Sequence, residues 1–264
     1  MEAVMYYSRD YFLYISGWKE ISLVDVLGSI SFTLWTSFCN FKCPWCGNSH
    51  VVRGCNRKKV SINTILKRVN EVKNFLDYFH TTGGEPTLQY KALLNLFKKI
   101  KKETSLPISL DTNGSNPHLL KKLLPFLHHI AIDVKAPLSD LYKYSLSIGL
   151  PMKQTANFIP KIVESIKLAL KVPFVEFRTT LIPGLISEND VIKIGKELEE
   201  ICENKKAVFV VQQYIPYEHV MDDKFRSIHR TEPERVRAIA ESLSGDVSFK
   251  VYYRTIEEGT KRVK

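Results

Sequence analysis

The sequence predicts an α/β protein built as a partial (βα)6 TIM-like barrel of parallel strands, and three observations carry that expectation. Short β-rich runs recur along the chain, amphipathic helix-sized stretches separate them, and polar or glycine-containing motifs fall where the runs end. The first run covers 31–36 and leads into a helical stretch near 60–78. Further strands are expected at 78–82, 108–112, 130–134, 175–181 and 208–214, with one more run at 247–253. Amphipathic stretches at 93–102, 119–126, 158–170 and 191–202 supply the helices between them. Strands joined by crossovers of that length run parallel and close right-handed, and six units fit the chain better than eight. The motifs at 82–87, 111–115, 133–136 and 183–184 then share the face at the C-terminal ends of the strands, where ligand sites of such barrels collect. Residues 1–30 read as an N-terminal extension packing on the barrel, 31–216 as the barrel core and 217–264 as a C-terminal extension packed on it. No repeat, low-complexity tract or long linker divides the chain.

A chain of 264 residues can bury one large core, so a single domain is expected. No apolar run of about 18 residues is present to span a membrane. The first residues carry Glu2, Arg9 and Asp10 among apolar ones, without a basic segment, apolar run and cleavage site, so a cytoplasmic protein is expected. The formal charge of +10 includes a cluster at Arg53, Arg57, Lys58 and Lys59, which could attract nucleic acid, an acidic protein or an anionic cofactor. Most basic residues alternate with Glu and Asp, as on a solvated surface, and no aromatic-rich module accompanies them, so nucleic acid is not the favoured partner.

Three of the five cysteines fall within eight residues, Cys39-Asn-Phe-Lys-Cys43-Pro-Trp-Cys46, directly after the first strand. Odd number and crowding argue against a disulfide framework and for metal or redox chemistry. Soft thiolates select zinc, Cu(I) or iron-sulfur clusters, and three of them on a 4Fe-4S cube leave one iron without a protein ligand. The competing arrangement is a structural zinc site with His50 as fourth ligand. Structural zinc sites usually present two short pairs of ligands separated by a finger or ribbon, whereas here all would lie in one loop, which favours the cluster. Cys55 and Cys202 read as unligated thiols, and Trp45 is on composition alone as much a core anchor as a ligand contact.

Each remaining motif has an ordinary reading. Thr82-Gly83-Gly84-Glu85-Pro86 is a tight turn that lets backbone approach a ligand closely. Asp111-Thr-Asn113-Gly114 is an Asn-Gly turn in isolation, and Asp133-Val-Lys135 an ion pair. Arg178 sits in Phe-Arg-Thr-Thr-Leu-Ile-Pro-Gly, where a guanidinium can grip a carboxylate in bidentate fashion.

Taken together, the three-then-two cysteine spacing and these motifs resemble the radical S-adenosylmethionine superfamily, from Gly17-Trp18 and Ser22-Leu-Val-Asp25-Val-Leu-Gly28 through to Pro216. Within it the chain is similar to the activating enzymes of pyruvate formate-lyase and of anaerobic ribonucleotide reductase. The resemblance implies one 4Fe-4S cluster on Cys39, Cys43 and Cys46, with the amino and carboxylate groups of S-adenosylmethionine on the open iron. It implies reductive cleavage to a 5′-deoxyadenosyl radical, with the electron from a reduced donor such as ferredoxin or flavodoxin. Trp45 is implied near the adenine, and Gly83, Gly84 and Glu85 at the methionine ammonium group. Asp111, Asn113, Lys135, Arg178 and Gln213 are implied as further cofactor contacts. Only Cys55 lies between the cluster loop and the Gly-Gly-Glu motif, so no auxiliary cluster is expected. The substrate implied is a glycine Cα of a partner glycyl-radical enzyme, a position with no side chain to shield its hydrogen. Two other readings compete: the same radical directed at RNA or a small metabolite, and a non-catalytic zinc protein.

Overall fold

The computed structural model describes residues 11–263 apart from Asn56 and Asn204. Its described strands form one ten-stranded sheet in the order β10-β9-β8-β7-β6-β5-β4-β2-β1-β3. The parallel portion starts at β2 (Ser31–Thr36) and proceeds through β4 (Tyr78–Gly83), β5 (Ile108–Thr112), β6 (Leu127–Asp133), β7 (Phe174–Leu181) and β8 (Val208–Gln213). These six strands coincide with the expected runs to within about three residues. Their side chains are almost continuously buried, as befits strands covered on both faces.

Helices α2 (Ile62–Val72), α3 (Tyr90–Glu103), α4 (Pro117–Leu123), α6 (Met152–Ala169) and α7 (Glu188–Cys202) make the crossovers, each turning one apolar stripe to the sheet. Starts are marked locally. Ser61 caps α2 by accepting from the Asn63 amide, and Ser187 with Asp190 forms a reciprocal capping box on α7. Short α5 (Leu141–Ile148) begins at Asp140, whose carboxylate accepts from the Lys143 amide.

The ends of the sheet add to the expected plan. Within the segment expected to pack against the barrel, β1 (Phe12–Ser22) pairs antiparallel with β2, from Ile15 opposite Thr36 to Ser22 opposite Ser31. Strand β3 (Lys58–Ser61) continues that edge. Beyond residue 216, α9 (Pro233–Ser244) leads into β9 (Lys250–Thr255), a seventh parallel strand running from Lys250 opposite Val208 to Arg254 opposite Gln212. Its alternation of buried Val251 and Tyr253 with half-buried Tyr252 and Arg254 puts apolar groups under α9 and polar ones toward the sheet interior. Strand β10 (Gly259–Arg262) folds back on it. Among the described residues the sheet ends at β3 and β10 without the two pairing, so the described barrel is open.

Candidate active site

A cavity of about 1240 Å³ opens at the C-terminal ends of the parallel strands. Cys39, Cys43, Cys46, Trp45, Gly83 and Gly84 line it, as do Asp111, Asn113, Lys135, Arg178 and Gln213. Among the sequence candidates Glu85 does not.

The cysteine loop leaves β2 through Phe38, whose φ of 75° is unusual for a side chain of that size. Four contacts hold it. The Glu85 amide donates to the Phe38 carbonyl at 2.7 Å, and the Lys42 amide to the Ile148 carbonyl at 2.8 Å. The Trp45 indole donates to the Ser147 carbonyl at 2.9 Å. The Tyr217 ring lies so close over Gly47 that a β-carbon there would meet it at 2.6 Å. Gly84 is pinned harder still: a β-carbon on it would fall 1.8 Å from the Phe38 oxygen.

Burial pushes the Cys39 thiol up to about 12, helped by the Glu85 charge, and burial raises Cys43 and Cys46 as well. Bare, these are neutral thiols, and they become thiolates when a cation or metal compensates the charge. Lys135 supplies part of that compensation: burial opposes its charge, but Asp133 at 2.7 Å and the Cys43 sulfur hold its ammonium firmly protonated. The ammonium also lies 5.1 Å from the Trp45 ring centroid, in cation-π range. Cys39 sulfur accepts from the Phe41 amide at 3.4 Å and from the Asn113 side chain at 3.7 Å.

The donor set fits a cluster with one open iron. Three cysteines of one loop face the cavity and no fourth joins them: Cys55, just past α1 (Ser49–Val52) in the chain, is exposed and off the cavity wall, and Cys202 is buried at the end of α7. Among the described residues no three His, Cys, Asp or Glu side chains are grouped to hold a single metal ion. His50, the expected fourth ligand of the zinc arrangement, stacks on His219 with centroids 4.1 Å apart and is absent from the cavity wall.

Three of the expected contact residues have their polar atoms engaged within the fold. Glu85 is fully buried, and its carboxylate accepts from the Thr87 amide and hydroxyl, the Thr112 hydroxyl and the Asn113 amide. It ties the Gly-Gly turn to the end of β5. Arg178 offers no free bidentate face, because its three nitrogens go to Glu176, to Asp111 at 2.8 Å and to the Asp25 carbonyl at 2.8 Å. Gln213 spends its amide inside the fold, donating to the Thr231 carbonyl and Glu257 and accepting from the Ile256 amide.

Motif reading passed over residues on and beside the cavity wall. Asn40 accepts from the Asn113 amide at 3.0 Å and donates to Ser115 at 2.8 Å, joining the cysteine loop to the Asn-Gly turn. Its position inside the cysteine motif was the available signal. Arg254 reaches the wall from β9, and Leu23, Val24, Tyr217 and Ile256 form an exposed apolar rim. Leu23 and Val24 lie within the Ser22-to-Gly28 stretch that carries the resemblance, whereas nothing local in the sequence marks Arg254, Tyr217 or Ile256 as wall residues.

Comparison with known proteins places these features. A family model described as the Radical SAM superfamily matches residues 33–203. A chain of Methanocaldococcus jannaschii named for glycyl-radical enzyme activation is 28% identical over 227 residues, which cover 85% of this chain and 89% of that one. The pyruvate formate-lyase-activating enzyme of Staphylococcus epidermidis is 26% identical over 225 residues, covering 80% and 83%. Among solved structures, TYW1 with a lysine-pyruvate adduct bound superposes with a TM-score of 0.59 over 87% of this chain and 77% of its own, at 18% identity. That likeness is one of fold.

Proposed function

Because the chain belongs to the radical S-adenosylmethionine superfamily, whose enzymes carry a 4Fe-4S cluster and S-adenosylmethionine, we propose that it is an activase installing a glycyl radical on a partner enzyme. When bound and reduced, the cluster supplies the electron that cleaves S-adenosylmethionine to a 5′-deoxyadenosyl radical. The chain's own residues bind and orient. Cys39, Cys43 and Cys46 hold the cluster. Trp45 packs on the adenine, the backbone of Gly83 and Gly84 receives the methionine ammonium, and Asp111, Asn113 and Lys135 supply polar contacts. Lys135 also balances thiolate charge, and the amide of Phe41 with Asn113 steadies the Cys39 sulfur.

The observation that carries the activase reading is the size and rim of the cavity. At about 1240 Å³ it exceeds what small-molecule sites usually provide, leaving room for a peptide loop above the cofactor. Its mouth is edged by exposed Leu23, Val24, Tyr217 and Ile256, which suits a polypeptide surface better than a charged metabolite or RNA. The names of the two sequence relatives support the same substrate class. The basic net charge suits an acidic electron donor such as reduced ferredoxin or flavodoxin.

The test is anaerobic reconstitution with iron and sulfide, reduction, and addition of S-adenosylmethionine. Release of 5′-deoxyadenosine and a glycyl-radical resonance on an added glycyl-radical enzyme are the expected results. Cleavage without any such resonance, together with turnover on RNA or a metabolite, would overturn the activase assignment.

A further inference from the structure

Under the cavity floor runs a buried polar chain that the proposed reaction leaves unused. His80 on β4 and His129 on β6 flank Ser109 on β5, each Nδ1 lying 2.7 Å from the Ser109 oxygen. The outer ring nitrogens face carboxylates: His80 Nε2 stands 3.4 Å from Asp111, and His129 Nε2 stands 3.3 Å from Glu176. Both imidazoles, Ser109 and Glu176 are fully buried, and neither Nε2 has a hydrogen-bond partner, the facing carboxylates standing only within ion-pair range.

Counting protons constrains this arrangement. Both carboxylates are ionised: burial opposes it, but Arg178 on β7 contacts each, holding Asp111 well below the usual range and Glu176 at about 2. A hydroxyl has one hydrogen, so Ser109 donates to one imidazole and accepts from the other, and one Nδ1 must carry a proton. A bare Nε2 would set its lone pair against a buried carboxylate, so both Nε2 atoms carry protons too. That makes three ring protons, whereas two neutral imidazoles have two.

We propose that His80 and His129 share one imidazolium charge through Ser109, and that this shared charge positions Asp111, the carboxylate at the cavity wall. The other groups facing the pair are consistent with a single extra charge. Arg178, held also by the Asp25 carbonyl, carries one charge between the two carboxylates Asp111 and Glu176, and the shared proton adds the second fully buried positive charge. Arg254 on β9 approaches Glu176 at 3.4 Å from the partly exposed side, and the remaining neighbours of His129 are the rings of Tyr78 and Phe174. Arg178 is the other cation on Asp111, and burial lowers the basicity of His129 more than Glu176 raises it, which disfavours the charge on the His129 ring. A cationic ligand arriving at Asp111 moves it: Ser109 takes the Nδ1 proton of His80 as it gives its own to His129, with no heavy atom displaced.

Nitrogen-15 NMR of the histidine rings in the protein before cluster loading reads this directly. The expected spectrum at pH 7 has three protonated nitrogens on the pair, two Nε2 and one Nδ1, and one of these protons is lost in a single step shared by both rings as pH rises. Two neutral rings with one proton each, or two independent titrations, would overturn the proposal. In the reconstituted enzyme, Ser109→Ala should weaken S-adenosylmethionine binding about tenfold and flatten its dependence on pH, with Ser109→Thr restoring both. Unchanged affinity and pH dependence in Ser109→Ala would refute the positioning role, and the NMR of the unaltered protein decides the shared charge even if that variant fails to fold.

Discussion

Gly84 joins the second strand's turn to the cysteine loop, and Gly84→Ala tests that joint with a single methyl group. The new β-carbon would lie 1.8 Å from the Phe38 carbonyl oxygen and 2.5 Å from its carbon. Both atoms are backbone, so no rotamer change relieves the clash. The turn must lift by more than about 1.5 Å to regain ordinary contact. Two hydrogen bonds cross that joint, from the Gly84 amide to Thr36 at 2.8 Å and from the Glu85 amide to Phe38 at 2.7 Å. Each is worth about 1 kcal/mol if water replaces it and up to about 3 kcal/mol if a buried group is left unpaired, so the expected loss is about 2–6 kcal/mol. For a chain of this length each kcal/mol moves Tm by about 2–4 °C, giving a fall of at least about 4 °C. The assay is thermal and urea unfolding of the protein without cluster, followed by iron content after reconstitution. Gly17→Ala is the control: a β-carbon there meets nothing within 4 Å, and stability should stay within about 0.5 kcal/mol. Gly84→Ala melting with the unaltered protein and loading iron normally would refute the reasoning.

Cys43→Ala should abolish cluster retention, measured as iron and sulfide per chain, while Cys55→Ala, altering an exposed thiol off the cavity wall, should retain both. The reverse pattern would reassign the ligands. Arg178→Met strands two buried carboxylates and should cost about 3–5 kcal/mol in urea unfolding at neutral pH. The same pair sets the acid limit of stability. Depressed in the folded state, its carboxylates contribute above about pH 4.5, and the contribution fades as pH falls toward 2. Unfolding free energies measured from pH 3 to 7 should show that acid limb in the unaltered protein and a flattened one in Arg178→Met.

The parallel strands were legible because each is a run of β-branched or aromatic residues buried on both faces, as in Ser31–Thr36 and Val208–Gln213. Strand β1 was not, since Gly17, Lys19 and Glu20 interrupt its alternation and only pairing with β2 makes it a strand. The cysteine loop was legible from spacing alone. What the sequence did not show is which partners the charged and amide side chains take inside the fold, because a motif specifies a residue type and not its partner. Glu85 and Arg178 carry charges that suit a cofactor, yet the fold brings Thr112, Asn113, Asp111 and Glu176 to them first. The histidine pair was invisible for the same reason: His80, Ser109 and His129 lie 20 to 29 residues apart and meet only across adjacent strands.

The four clamps on the cysteine loop bear on how the protein is loaded. Small zinc modules collapse when stripped of metal, because ligation is what orders their chains. Here the Glu85, Ile148, Ser147 and Tyr217 contacts fix the loop independently of its sulfurs. A loop held in this way should keep its three cysteines in position whether or not a centre is bound, so loading with iron and sulfide is expected to need no refolding of the chain.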